Sequence, residues 1–232
     1  MDRAAYIAMN AASEALRAQS VTAHNIANAG TSGFKALLTH TEARNVDGPG
    51  WHSRVNGVLQ PETWNAQGGA MQNTGRDLDI ALAEDRWLAV QTDDGGVAYT
   101  RNGNLHMTAN GQVLDGEGRL VLSDNGPLTL PPHQDLMIAA DGTVSLTPLG
   151  SEATVRAQVG RLSVIDASPA ELKRRADGLF EPTAGTEARP AAGAVMVSGM
   201  LEASNVNAAE QLVALIEHSR RFELATKAMK TA

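Results

Sequence analysis

Both ends of this chain carry apolar or small residues that return at alternating steps of four and three. Near the N-terminus the run is Ala5, Met9, Ala12, Leu16, Gln19, Ala23 and Ile26, with one polar interruption at Gln19. Near the C-terminus it is Ala208, Leu212, Leu215, Ser219, Phe222, Thr226 and Met229, flanked by Val213 and Ile216. Four-three spacing lays side chains along one stripe of an α-helix, so each end reads as an amphipathic helix built to pack on another helix. Ala4, Ala8, Ala11, Ala15 and Ala18 surround the first stripe; they are small and strong helix formers, so a neighbour could approach from more than one side. Two ordinary surface helices on a globular core would show the same spacing. A long helix at the extreme terminus needs a partner, and the opposite terminus offers one.

The helices carry start and stop signals. Asn25, Asn28, Gly30, Thr31, Ser32 and Gly33 fall within nine residues and end the first pattern. Gly30 suits a left-handed residue after the helix end, and Gly33 offers a second such position before Phe34. Asn207, followed three residues later by Glu210, reads as a capping-box variant that starts the second helix. Asn25 and Asn28 lie three apart on one helix face. Their amides could bond backbone carbonyls at the turn or reach across a subunit joint, or they could simply end the helix.

Between the helices the pattern changes. Residues 36–70 are the least regular part: residues 47–50 (Asp-Gly-Pro-Gly) break the chain, Asn56 and Gly57 can turn it, and Gly68 and Gly69 free it again. Trp51, Val55, Val58, Leu59 and Trp64 supply apolar surface for a small packed extension, against the alternative of a flexible linker. From Arg76 onward, Leu78, Ile80 and Leu82 alternate with Asp77, Asp79 and Ala81, the pattern of a half-buried strand. Asp-Gly or Asn-Gly pairs recur at 94, 102, 110, 115, 125 and 141, each able to supply the positive backbone angles of a tight hairpin. Short strands punctuated this often predict an antiparallel β-domain. Farther on, Val155, Ala157 and Val159 with Leu162, Val164 and Ile165 read as a strand pair around Gly160. Residues 166–175 read as a short helical or turn segment, and 184–193 as a loop.

The expected fold class is therefore mixed α and β, with paired coiled-coil-type terminal helices flanking a central antiparallel β-domain. The expected divisions are 1–33, 34–70, 71–200 and 201–232.

Composition narrows the function. Hydrophobic residues make up 43% of the chain but aromatics only 3%, so core side chains are small. A formal charge of −7 argues against nucleic-acid binding, which needs a basic face. With no cysteine, a disulfide scaffold and a thiolate zinc site are both excluded. His24, His40, His52, His106, His133 and His218 show no metal-ligand spacing. Asp77 and Asp79 read as the solvent face of a strand rather than an acid pair. The acidic glycine runs at 93–96 and 115–118 lack a calcium-loop ladder and read as hairpin turns. No phosphate-binding glycine loop or nucleophile elbow is present. The chain reads as a non-enzyme with no catalytic residues, no metal, no cofactor and no small-molecule substrate. A carbohydrate-binding or hydrolytic β-domain with helical arms, or a cap that binds an assembly without joining it, is the competing reading. Asp2, Arg3, Asn10, Ser13, Glu14 and Arg17 interrupt any apolar run of signal-peptide length.

One stretch also carries a resemblance. Residues 21–35, Val-Thr-Ala-His-Asn-Ile-Ala-Asn-Ala-Gly-Thr-Ser-Gly-Phe-Lys, are similar to the signature of the bacterial flagellar rod and hook proteins. Residues 199–207 resemble that family's second signature, and the stretches beginning at Gly75 and Tyr99 resemble its middle domain. The opening Met1, Asp2, Arg3 and Tyr6, the stretch 157–162, and the ending from Arg221 resemble the proximal-rod branch more than the distal-rod one. His24 stands where the family usually has its first Asn, and Glu84, Asp85 and Arg86 replace a glycine-rich turn. The last helix stops sooner than in most relatives, which suggests a short member or a trimmed chain.

The resemblance implies a structural subunit of the proximal rod, the helical shaft that transmits motor torque, with a distal-rod subunit or a β-domain binding module as alternatives. It implies partners among other rod proteins and copies of itself. It also implies unfolded passage through the flagellar type III export apparatus to a periplasmic rod without a cleaved signal peptide. The expected subunit interface is Ala5, Met9, Ala12, Leu16, Ala23, Asn25, Ile26, Asn28, Leu212, Leu215, Ile216, Phe222 and Met229. The expected motif turn is Gly30, Thr31, Gly33 and Phe34.

Overall fold

A computed structural model describes residues 2–45, 55–59, 63–151 and 156–231. Trp51, the break at 47–50 and Val155 lie outside those residues. The chain forms two compact units. One comprises Met1–Ala29, Lys35–Asn65 and Asn205–Ala232; the other comprises Gly30–Phe34 and Ala66–Ser204.

The first unit is built on two long helices, α1 (Asp2–Ala27) and α2 (Ala208–Thr231), which pack along each other. Alanine-rich sequence favours helix at both ends, but in proteins most helical stability comes from packing rather than from propensity. Their mutual packing is what holds them. At the start of α2 the Asn207 side chain accepts the N–H groups of Ala209 (3.2 Å) and Glu210 (3.4 Å), capping the helix as its sequence predicts. α1 closes with the Asn28 N–H on the carbonyl of His24 at 3.2 Å. Gly30 does not take a left-handed angle there; Gly33 does, with φ +68°.

The region expected to be irregular contains two small antiparallel ladders. Leu37–Leu38 pairs with Thr63–Trp64, and Thr41–Asn45 pairs with Val55–Leu59, which runs beside α1. Asn56 and Gly57 are therefore strand residues, with Gly57 opposite Ala43, and do not turn the chain. A ladder partner satisfies their backbone groups and overrides the turn preference of Asn-Gly.

The described strand pairings of the second unit are all antiparallel. Its largest sheet runs in the order Leu172–Arg174, Phe180–Pro182, Val97–Thr100, Arg86–Gln91, Val164–Asp166, Arg189–Pro190. A three-stranded sheet of His133–Ile138, Thr143–Pro148 and Ala157–Arg161 stands with it. Leu88, Val90, Leu105, Val121, Val144 and Leu146 are core residues with almost no exposure. Trp87 is buried against Phe180, ring centroids 4.6 Å apart, and its indole N–H donates to the Ala167 carbonyl at 3.0 Å.

Several hairpins form as the dipeptides predict, with positive φ at Gly95, Gly111, Gly126 and Gly142. Other expectations are corrected. Gly103 takes no positive φ; the chain passes it so close to Ile80 that a Cβ would lie 1.8 Å from the Ile80 carbonyl oxygen. Gly160 sits inside the strand Ala157–Arg161, opposite Val144, and this strand and Val164–Asp166 do not pair with each other: one pairs with Thr143–Pro148 and the other with Arg86–Gln91. Only Pro169–Glu171 is helical in the 166–175 segment; Leu172–Arg174 is a strand. Asp79 is buried, not solvent-facing, and its carboxylate meets the Arg76 guanidinium at 3.3 Å. Asp115, in the second calcium-like run, is also buried and accepts the N–H groups of Glu117 and Arg119, both at 2.9 Å, as a turn would have it.

Candidate assembly surface

On α1 the helix pair turns mostly small residues inward, and on both helices several large apolar residues stay outside. On α1 the buried positions are Ala8, Ala12, Ala15, Val21, Thr22 and Asn25; on α2 the buried position is Ala225. The stripe read from the sequence is rotated relative to that inner face. Of its members, Ala12 is buried, while Ala5, Ile26, Asn28, Leu215, Phe222 and Met229 are half-buried and Ala23 is exposed. Met9, Leu16, Leu212 and Ile216 each remain about half exposed, and Leu224 is 68% exposed. Tyr6, Ile7 and Val213 join them outside. The reason is steric: methyl side chains let two helices approach closely, and the bulkier residues of each stripe are then displaced to the flanks. Ile7, Ala8, Ala11, Ala15, Leu224, Ala225 and Ala228 line an open apolar groove along the pair, with Glu14 and Arg221 among its walls. So much apolar surface on one element is what a subunit contact requires.

The roots of the helices are tied by amides. Asn25 is only 2% exposed. Its Oδ1 accepts the Leu37 N–H at 2.8 Å, and its Nδ2 donates to the Leu37 carbonyl at 2.9 Å and to Gln211 Oε1 at 3.3 Å. Both backbone groups of a buried residue are thus satisfied by one side chain. Asn25 serves the turn from within and does not reach a surface. Asn28 donates to the His24 carbonyl at 2.9 Å, closing the last turn of its own helix. Asn205, inside the signature stretch 199–207, accepts the Ala36 N–H at 2.7 Å and donates to the Asn65 carbonyl at 3.0 Å.

The motif turn belongs to the β unit. The Gly33 N–H donates to the Glu202 carbonyl at 2.7 Å, and a Cβ on Gly33 would lie 2.2 Å from the Arg101 carbonyl oxygen. The Phe34 N–H reaches the Thr31 carbonyl at 3.3 Å, and the Phe34 ring lies 5.4 Å below the Arg174 guanidinium. Gly30 has open space around it. Arg101 and Glu202, both buried, form an ion pair beside this turn at 2.6 Å. Sequence reasoning passed over both because a lone charge inside a motif looks solvated; only their separation by about a hundred residues in a fold that joins the chain's ends reveals them.

Electrostatics add one titratable group to the helix pair. His218, half-buried on α2, is held below the ordinary 6.5, first by burial and then by Arg221, with Glu217 opposing. Among the described residues no group of three or more His, Asp or Glu side chains is placed to hold a metal ion, and no helix is long and apolar enough to cross a membrane.

Comparison with known proteins matches these features to their sources. Residues 6–35 match the family described as flagella basal body rod protein, residues 81–146 the flagellar hook protein FlgE/F/G D1 domain, and residues 197–232 the flagellar basal body rod FlgEFG protein C-terminal. The chain is similar to the flagellar basal-body rod protein FlgF of Salmonella typhimurium, 42% identical over 98% of this chain and 92% of that one. It is 41% identical to FlgF of Escherichia coli over 100% of this chain and 94% of the other. FlgG of Agrobacterium fabrum is 31% identical over 91% of this chain and 88% of its own length. Two terminal helices, a tied turn and a β unit, each matched in order, leave one conclusion: the chain belongs to the FlgF family of flagellar basal-body rod proteins.

Proposed function

We propose that this chain is a structural subunit of the flagellar rod, in its proximal segment, and assembles through the outer faces of its two terminal helices. The observation that carries the reading is the set of large apolar side chains left outside the pair, Met9, Leu16, Leu212, Ile216 and Leu224, on a chain whose full length aligns with FlgF proteins. Ala12, Leu215, Phe222 and Met229 serve the pair itself, and Ala5, Ala23, Ile26 and Asn28 border the outer contact. The partners are copies of this chain and other rod proteins in the basal body. The chain has no catalytic role, reaches its place through the flagellar type III apparatus, and passes torque along the shaft. Lower identity to FlgG makes a distal-rod place the weaker alternative.

The physical logic is cooperative. A buried methylene is worth about 0.8 kcal/mol, so small inner faces stabilise one free pair modestly. Burying the outer faces against several neighbours adds far more. Mass spectrometry of purified hook–basal bodies tests the reading. A handful of copies, fewer than the distal-rod subunit, supports it; a count equal to the distal rod's moves the chain to that segment; absence from the particle refutes it.

A further inference from the structure

We propose that Arg101 and Glu202 form a closure latch: the β unit completes only when three stretches remote in sequence have all reached one buried charge pair. The Arg101 guanidinium spends every donor it has. Nε and Nη2 donate to Glu202 Oε2 at 2.7 and 2.6 Å, Nη1 donates to the carbonyls of Ala83 and Arg86 at 3.1 and 2.9 Å, and Nη2 also donates to Leu82 at 2.9 Å. The same cation lies 5.6 Å over the Trp87 ring. Glu202 is as fully engaged: its Oε1 accepts the Gly69 N–H at 3.0 Å, and its backbone carbonyl accepts the Gly33 N–H.

The exposures decide how much depends on this. Arg101 is 6% and Glu202 1% exposed, so neither charge has water to fall back on. A buried pair adds little net stability over an apolar one, but removing one partner leaves an uncompensated charge, which is strongly destabilising. The arrangement therefore works as a condition. Arg101 alone, without the stretch around Glu202, carries a buried cation with two of its five donors unpaired. The seat is also fitted to the segments that close it: a Cβ on Gly69 would lie 1.8 Å from the Ala203 carbonyl oxygen, as one on Gly33 would collide with Arg101. Three stretches thus meet at Glu202: Gly69 on its carboxylate, Gly33 on its backbone carbonyl, and its own strand Met200–Glu202. The latch lies wholly inside the β unit and does not depend on what the helices assemble with.

Amide hydrogen exchange on the full-length chain tests this. In Glu202→Gln the Gly33 and Gly69 amides should exchange about a hundredfold faster, while Leu88 and Val90 in the central strand change by less than about tenfold. In the double variant Arg101→Met, Glu202→Leu no charge is stranded and the backbone carbonyl at 202 remains. Gly33 should then return to within about tenfold of the native rate while Gly69, whose acceptor was the lost carboxylate, stays fast. Equal acceleration at Leu88 and Val90 in Glu202→Gln would make the pair a part of the general core and overturn the latch. Unchanged Gly33 and Gly69 rates in that variant, or failure of the double variant to restore Gly33, would overturn it as well.

Discussion

Replacing Asn25 by Ala should cost more than any other single truncation on the two terminal helices. Asn25 holds both backbone groups of Leu37, a residue with little solvent access of its own. Removing the amide deletes two short hydrogen bonds, each worth about 1 kcal/mol net, and strands a buried N–H at roughly 1–3 kcal/mol more. The weaker bond to Gln211 goes with them. The expected loss is about 3–5 kcal/mol, a drop of about 1.5–2.5 M in the urea midpoint if the slope is near 2 kcal/mol per M. Asn25→Asp keeps the acceptor for the Leu37 N–H but sets a second oxygen against the Leu37 carbonyl, so it should be at least as damaging as Ala. Urea unfolding followed by far-ultraviolet circular dichroism reads the helix content, and exchange at Leu37 reads the tie itself. A midpoint shift under about 0.2 M with an unchanged Leu37 exchange rate would show that the amide holds nothing and refute the reasoning.

Other expectations concern the turn, the outer faces and pH. Gly33→Ala should cost more than about 2 kcal/mol, because it forces an alanine into the left-handed region and into the Arg101 carbonyl, whereas Gly30→Ala should be near neutral; thermal unfolding of the two variants gives the comparison. Leu16→Lys and Ile216→Glu should each change the stability of the free chain by no more than about 0.5 kcal/mol yet abolish incorporation into basal bodies, and normal motility in the double variant would count against the outer faces as contacts. His218 titrates below its ordinary value because burial favours its neutral form. Its contribution is therefore fully present above 6.5 and is lost as the pH falls through 6.5 toward the lowered folded value. The helix signal should melt at lower temperature in mild acid, and His218→Gln should flatten that dependence.

Helix existence was legible from spacing because period is a local property: Ala5 to Ile26 and Ala208 to Met229 needed no knowledge of the rest of the chain. Which side of each helix faces inward was less legible. The stripe read from spacing runs through Met9, Ala12 and Leu16, whereas the pair closes on Ala8, Ala12 and Ala15, since close approach rewards the smallest. Hairpins at Gly95, Gly111, Gly126 and Gly142 could be read from dipeptides, but Asn56-Gly57 could not be told from them, because a ladder partner elsewhere decides whether such a pair turns. Asp79 and Arg101 show the same limit for charge. Alternation and polarity placed Asp79 in water; a guanidinium three residues upstream in sequence places it in the interior. Arg101 and Glu202 have no local signal at all, since each is explained by a residue far along the chain.

An interface of methyl groups has few interlocking shapes, and this bears on how the two helices sit lengthwise. Ala8, Ala12 and Ala15 present a smooth track, so displacement along the common axis disturbs little packing. What pins the pair lengthwise is the hydrogen bond from Asn25 to Gln211, close to one end. Toward the other end, where Ile7 and Ala228 share the open groove, the contact is apolar. Because a helix has a fixed rise along its axis, that one hydrogen bond sets the lengthwise register of the whole pair. Losing the Gln211 amide should therefore loosen the register along the full length of the pair, as far as the groove at Ile7 and Ala228, without unwinding either helix.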